Sequence, residues 1–137
     1  MNAKHAILKI LAASATFNAL IGGTEAAAKI YYNRAPQGNT HPYCIVRLQD
    51  TDANDTKSGP SNFDYQYVQV LHMATTEDVC AQMAAAARLI LDRISEGTWN
   101  TVTVASIQFQ SSSDFDDFIE DKPMYTTEQI YKVMVRS

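Results

Sequence analysis

The groups best suited to chemistry in this sequence are two cysteines, Cys44 and Cys80, and three histidines, His5, His41 and His72. A cysteine thiolate beside a histidine base would be a nucleophile for acyl transfer. Distance along the chain does not forbid such a pair. However, Cys44 sits in a strand-like run, Tyr43 to Leu48, without the strand-turn-helix elbow that exposes a nucleophile. Two buried free thiols are the simpler reading. A disulfide stays open, because no cysteine framework demands one. The histidines lack metal-ligand spacing with each other or with a cysteine. Asp50, Asp52, Asn54 and Asp55 look like the start of a calcium loop, but that loop needs glycine at its sixth position and a bidentate glutamate at its twelfth. Asp55 and Ser61 stand there instead. Gly22-Gly23 follows no strand and precedes no phosphate-loop lysine. A second acidic run, Asp114, Asp116, Asp117, Glu120 and Asp121, reads as a solvated loop rather than as paired catalytic carboxylates. The expectation is a protein with no catalytic residue, no metal and no cofactor.

Hydropathy patterning shows which elements would carry these groups. Residues 3–21 predict one helix with Ile7, Leu11, Ala15 and Asn18 on a single stripe, stopped by Gly22-Gly23. Residues 29–32 predict a short strand, followed by a turn-rich connection fixed by Pro36, Gly38 and Pro42. Tyr43 to Leu48 predicts a strand with Cys44, Val46 and Leu48 on one face. Residues 50–62 form a long polar loop of the kind that carries function. Phe63 to Met73, rich in β-forming residues, predicts the strongest strand. Thr75 and Asp78 open a second helix, with Val79, Met83, Ala86, Ile90 and Ile94 as its buried stripe and Gly97 as its end. Thr101 to Phe109 predicts a strand whose alternation slips near Ala105-Ser106, the mark of a bulge. Residues 110–123 read as an acidic loop. Tyr125 to Val135 predicts the last strand, with Tyr131, Val133 and Val135 sharing a face. The sum is an α+β fold of order α-β-β-β-α-β-β, with two main helices on a mostly antiparallel sheet of about four to five strands. No repeat or boundary divides residues 1–137, so one domain is expected.

Composition narrows the class. The sequence is 46% hydrophobic and 19% charged, within the globular range. A chain of this length buries about two-thirds of its unfolded surface and needs no disulfide or metal to fold. With 15 acids against 11 bases, the net charge of -4 excludes a phosphate-gripping basic surface. It suits a surface past which nucleic acid slides. Lys9, Ser14, Thr16 and Asn18 interrupt the N-terminal apolar stretch, and no run of about 18 apolar residues occurs, so neither a signal peptide nor a membrane span is expected.

One stretch resembles a known family. Arg34-Ala35-Pro36-Gln37-Gly38-Asn39-Thr40-His41-Pro42-Tyr43-Cys44-Ile45-Val46 is similar to the tail completion proteins of long-tailed bacteriophages. The layout around it is similar too: a leading helix, a long polar loop, then a Val68-Gln69-Val70 strand. Ala74 and the Thr75-Thr76-Glu77-Asp78 helix opening follow, then Asp116-Asp117-Phe118 and the closing Gln129–Val135 strand. Leu71 and Met73 replace an acid and an aromatic usual in the family after its Val-Gln-Val. The resemblance implies a structural virion protein made in the host cytoplasm and located in the neck region of the tail. It implies a ring, typically a hexamer, at the head-proximal end of the tail tube. There it would halt tube growth and offer a joining surface to a head-tail connector or head-closure protein, while genomic DNA passes through the lumen unbound. No membrane is involved.

Interface candidates follow from loop position: Asp52, Asn54, Asp55 and Lys57 in the first polar loop, and Phe115, Phe118 and Ile119 among the acids of the second. Apolar side chains in an exposed acidic loop point to docking on another subunit. Two other readings compete. One is a different neck or tail component, such as a head-closure protein or a tube subunit, the last of which would need a long stacking hairpin. The other is a small enzyme or ligand-binding domain, which would need a pocket of convergent titratable groups.

Overall fold

The computed structural model describes residues 2–38, 40–53, 63–119 and 122–136. Three helices and six strands appear: α1 (Ala3–Ala12), α2 (Ala15–Ile21), β1 (Ile30–Tyr32), β2 (Tyr43–Ala53), β3 (Phe63–Ala74), α3 (Glu77–Leu91), β4 (Gly97–Trp99), β5 (Val102–Ile119) and β6 (Lys122–Arg136). The strands form a single sheet of order β1-β2-β3-β6-β5-β4. Every pairing is antiparallel except β1 with β2. The α+β class holds, but the expected four to five strands and two helices are corrected to six and three.

The extra helix arises where one continuous helix was expected. Ser14 turns extended and its hydroxyl accepts from the Phe17 amide at 3.2 Å, capping α2. The buried Asn18 amide donates to the Ala12 carbonyl at 2.7 Å, satisfying an acceptor that the break would orphan. Gly22 then ends α2 in the left-handed conformation, φ 69°. At the start of α1, Asn2 and His5 form a reciprocal cap.

The helices cover one face of the sheet. Ile7, Leu11, Phe17, Ile21, Met83 and Leu91 are buried against Val46, Val68, Val70, Tyr131 and Val133. Each such side chain contributes about 1.5–3 kcal/mol by leaving water. The strand faces fall as expected, with Cys44 and Val46 inward and the Val104/Ser106 register shift marking the bulge.

Helix α3 departs from its expected stripe. Cys80, Met83, Ala84, Ala87 and Leu91 are buried, a face turned by about one residue from the Val79–Ile94 stripe. Four consecutive alanines gave the periodicity little contrast. Thr76, not Thr75, is the N-cap. The helix ends at Leu91, because Arg93 takes φ 63° and its amide donates to the Ile107 carbonyl at 2.8 Å. Ile94 then bridges Ile107 and Gly97 opens β4, so neither belongs to the helix. Gly97 has a different reason to be glycine: the Trp99 indole lies where its Cβ would be.

Both polar stretches read as loops are partly strand. β2 continues through Asp50, Thr51 and Asp52 to Ala53 after a register shift between Leu48 and Asp50. The acidic stretch is the distal half of the β5–β6 hairpin, paired from Ser111↔Ile130 to Ile119↔Lys122. Cross-strand partners on β6 hold these weak β-formers extended.

Candidate functional site

The chemistry-bearing residues sit in the core. Cys44 lies directly opposite His72 on neighbouring strands, so the chain does bring a thiol and an imidazole together. Both have 0% exposure. Burial pushes the Cys44 thiol far up, away from the thiolate. Burial drives His72 down to about 4, only partly opposed by its hydrogen bond to Gln129. His72 Nε2 donates to Gln129 Oε1 at 2.7 Å, and the Tyr131 hydroxyl donates to the same oxygen at 3.1 Å. Gln129 Nε2 donates to the Ala84 carbonyl at 3.0 Å. The Cys80 thiol lies 3.1 Å from the His72 carbonyl and 3.2 Å from Thr127 Oγ1. This network ties α3 to β3 and β6.

The remaining histidines are elsewhere. His5 serves the α1 cap, and His41 stacks on Tyr43 with ring centroids 4.6 Å apart. Burial lowers the pKa of both, assisted by Lys4 and Lys29 respectively. Among the described residues no three His, Cys, Asp or Glu side chains converge on a metal position. Cys44 and Cys80 are both free and buried. An aromatic disulfide reagent should therefore titrate neither thiol in the native protein and both in denaturant. Rapid native labelling of either thiol would show that it is accessible, and labelling of a Cys80→Ser variant would assign it to Cys44.

The unusual features lie on the surface. Phe115 and Phe118 are 50% and 71% exposed on β5, and Leu89 is 86% exposed on α3. Asp52 is exposed on β2 and lines an open depression with Asp50, Tyr67, Gln110 and Ile130. Strands β2 and β5 flank β3 and β6, so this shared depression shows the sheet curling toward the face without helices. Phe115 is not near Asp52: its cross-strand row runs through Thr126 and Met73 to Tyr43. Asp52 and the two phenylalanines thus occupy different ends of the sheet. Asn54, Asp55 and Lys57 lie outside the described residues, as does the side chain of Ile119, whose backbone ends β5.

A second concavity, about 330 Å³, opens between α3 and the hairpin. Glu77, Cys80 and Ala84 line it from the helix, and Ser112, Asp114 and Asp116 from β5. Its carboxylates have no histidine, lysine or arginine beside them in the lining, and Cys80 there is 2% exposed. The sequence contained the signal for this face in the spacing of Asp114 and Asp116. Reading the run as a loop hid the fact that alternation sends both acids the same way.

The fold is a small α+β architecture that buries Cys44, Cys80 and His72 in its core and exposes Phe115 and Phe118 on the β5–β6 hairpin. The family model for tail completion protein gp17 matches residues 5–123. The chain belongs to that family and is a structural protein of the phage tail. A chain from the virion of a native gene transfer agent particle shares the fold, with TM-score 0.70 at 16% identity over 98% of this chain and 95% of that one. A second solved structure aligns with TM-score 0.54 at 12% identity, covering 96% and 94% of the two chains. No curated protein sequence matches significantly.

Proposed function

We propose that this chain forms a closed ring of identical subunits, six in number, on the head-proximal end of the tail tube. The ring ends tube polymerisation and presents a joining surface to the connector or head-closure protein. The observation that carries this reading is the family match along residues 5–123. Closed rings of one chain need heterologous contacts that close by rotation. Phe115, Phe118 and Ile119 are placed on such a subunit-facing surface. Asp52, with Asn54, Asp55 and Lys57 of the following segment, is placed at the axial or luminal end, where acids let DNA pass without binding.

The hairpin bears on the choice between terminator and tube subunit. β3 ends at Ala74, level with Tyr125 and Asp116, so β5–β6 overhangs the sheet only by residues after Asp116 and before Tyr125. That is short for an arm stacking on the next ring, and supports the terminator. The test is to mix the purified protein with isolated growing tail tubes and image them by negative stain. A ring on one end of each tube, with elongation stopped, is the expected result. Tubes that grow at the usual rate with bare ends would refute the reading.

A further inference from the structure

We propose that the corner between α1 and α2 is a socket for an arginine side chain presented by a partner protein of the virion; this rests on the chain being a tail protein and not on the ring. The sequence builds the corner from small residues. Ser14 interrupts the helix after Ala13, and Ala15 and Ala19 follow at exposed positions of α2. Gly22 ends α2, and the Gly23 amide donates to the Asn18 carbonyl at 3.0 Å. A turn then closes from Thr24 to Ala27, whose amide donates to the Thr24 carbonyl and to its Oγ1, each at 3.1 Å. Glu25 lies within that turn and is exposed. Ala13, Ala15 and Ala19 wall a surface depression of about 320 Å³, with Asn18, Thr24 and Glu25 also in its lining.

Asn18 carries the feature that points to a ligand. The residue is only 4% exposed. Its Nδ2 donates to the Ala12 carbonyl at 2.7 Å, which fixes the other amide atom as the oxygen. That Oδ1 is buried without a hydrogen-bond partner. Native proteins leave few buried acceptors unpaired, and the missing partner here must be a donor.

The rest of the lining selects the donor. Glu25 supplies a negative charge, no lysine or arginine lines the depression, and no ion pair among the described residues involves Glu25. The alanine methyls form an apolar wall on which an alkyl stem can lie while its charged head reaches polar groups. The volume is that of roughly ten waters, room for a side chain rather than for one bridging water. An arginine meets all three conditions. Its planar fork can donate to the amide oxygen and to the carboxylate together, whereas a lysine ammonium acts as a point charge. An acidic side chain would meet both an acceptor and a like charge.

The test titrates the full chain with n-butylguanidinium and follows its amide signals by NMR. Saturable shifts that include the Asn18 side-chain amide and the Glu25 backbone amide are expected. Glu25→Gln should weaken binding at least about threefold. Ala19→Leu, which fills the depression from an exposed position, should abolish it. Shifts that never saturate, or that ignore both substitutions, would overturn the socket. Tighter binding of n-butylammonium would overturn arginine in favour of lysine. On isolated tail tubes, Ala19→Leu and Glu25→Lys should each lower the fraction of capped tubes at least about tenfold, with circular dichroism unchanged. Capping by both variants at the wild-type level would overturn the use of the socket in assembly. Self-association of the free chain that Ala19→Leu abolishes would overturn the partner in favour of a second copy. A wild type that caps no tubes would overturn the ring reading and leave the titration to decide the socket.

Discussion

Replacing Gln129 by leucine should lower the free energy of unfolding by about 3–5 kcal/mol, although the change adds no charge and the side chain is only 3% exposed. Its amide serves three buried groups at once: His72 Nε2, the Tyr131 hydroxyl and the Ala84 carbonyl. Leucine fills similar space but leaves the His72 and Tyr131 donors unpaired, at about 1–3 kcal/mol each before relaxation, and removes the second bond to the Ala84 carbonyl. The check is urea denaturation, with the midpoint falling and the slope unchanged. A loss under about 1 kcal/mol would mean that water reaches these groups.

Acid should weaken the fold through His72. Its ordinary value of 6.5 falls to about 4 in the folded state. The unfolded chain binds a proton below pH 6.5 that the folded chain refuses, so stability is full above that value and drains away as pH drops toward 4. A shift of that size corresponds to roughly 3 kcal/mol. The geometry gives the cause: Nε2 already donates to Gln129, and Nδ1 is buried without a partner, so a second proton would be a buried, unpaired charge. His5 and His41, also lowered, act in the same direction more weakly because they are partly exposed. Stability measured from pH 7 to pH 4 should fall progressively below pH 6.5, and His72→Gln should flatten the curve. An equally steep fall in His72→Gln would assign the effect to other groups.

The strands that face the core were legible because β-branched and aromatic residues alternate there without interruption. Cys44, Val46, Tyr131 and Val133 point where alternation sent them. The acidic half of β5 was not legible. Serine and aspartate favour loops by local preference, and only the cross-strand partners Thr126, Thr127 and Gln129 hold them extended. The break between α1 and α2 depends on one serine cap and one buried asparagine, neither of which disturbs the apolar stripe. The stripe on α3 was misplaced because alanine is apolar on every face it occupies. Of the interface candidates, Phe115 and Phe118 are exposed, as their acidic surroundings suggested, but they lie on a strand and not in a loop. The Cys44–His72 juxtaposition was conceivable from the sequence, but its complete burial depends on how the helices cover the sheet.

The position of β6 has a consequence for how the protein is made. It joins β1–β2–β3 on one side to β5–β4 on the other, and it is the last of the six strands in chain order. As the chain leaves the ribosome, the sheet must wait as two halves with β3 and β5 unjoined. Only when β6 emerges can Tyr131 and Val133 seal the core. Maturation is therefore a late, single closing event dominated by long-range contacts, and such topologies fold slowly.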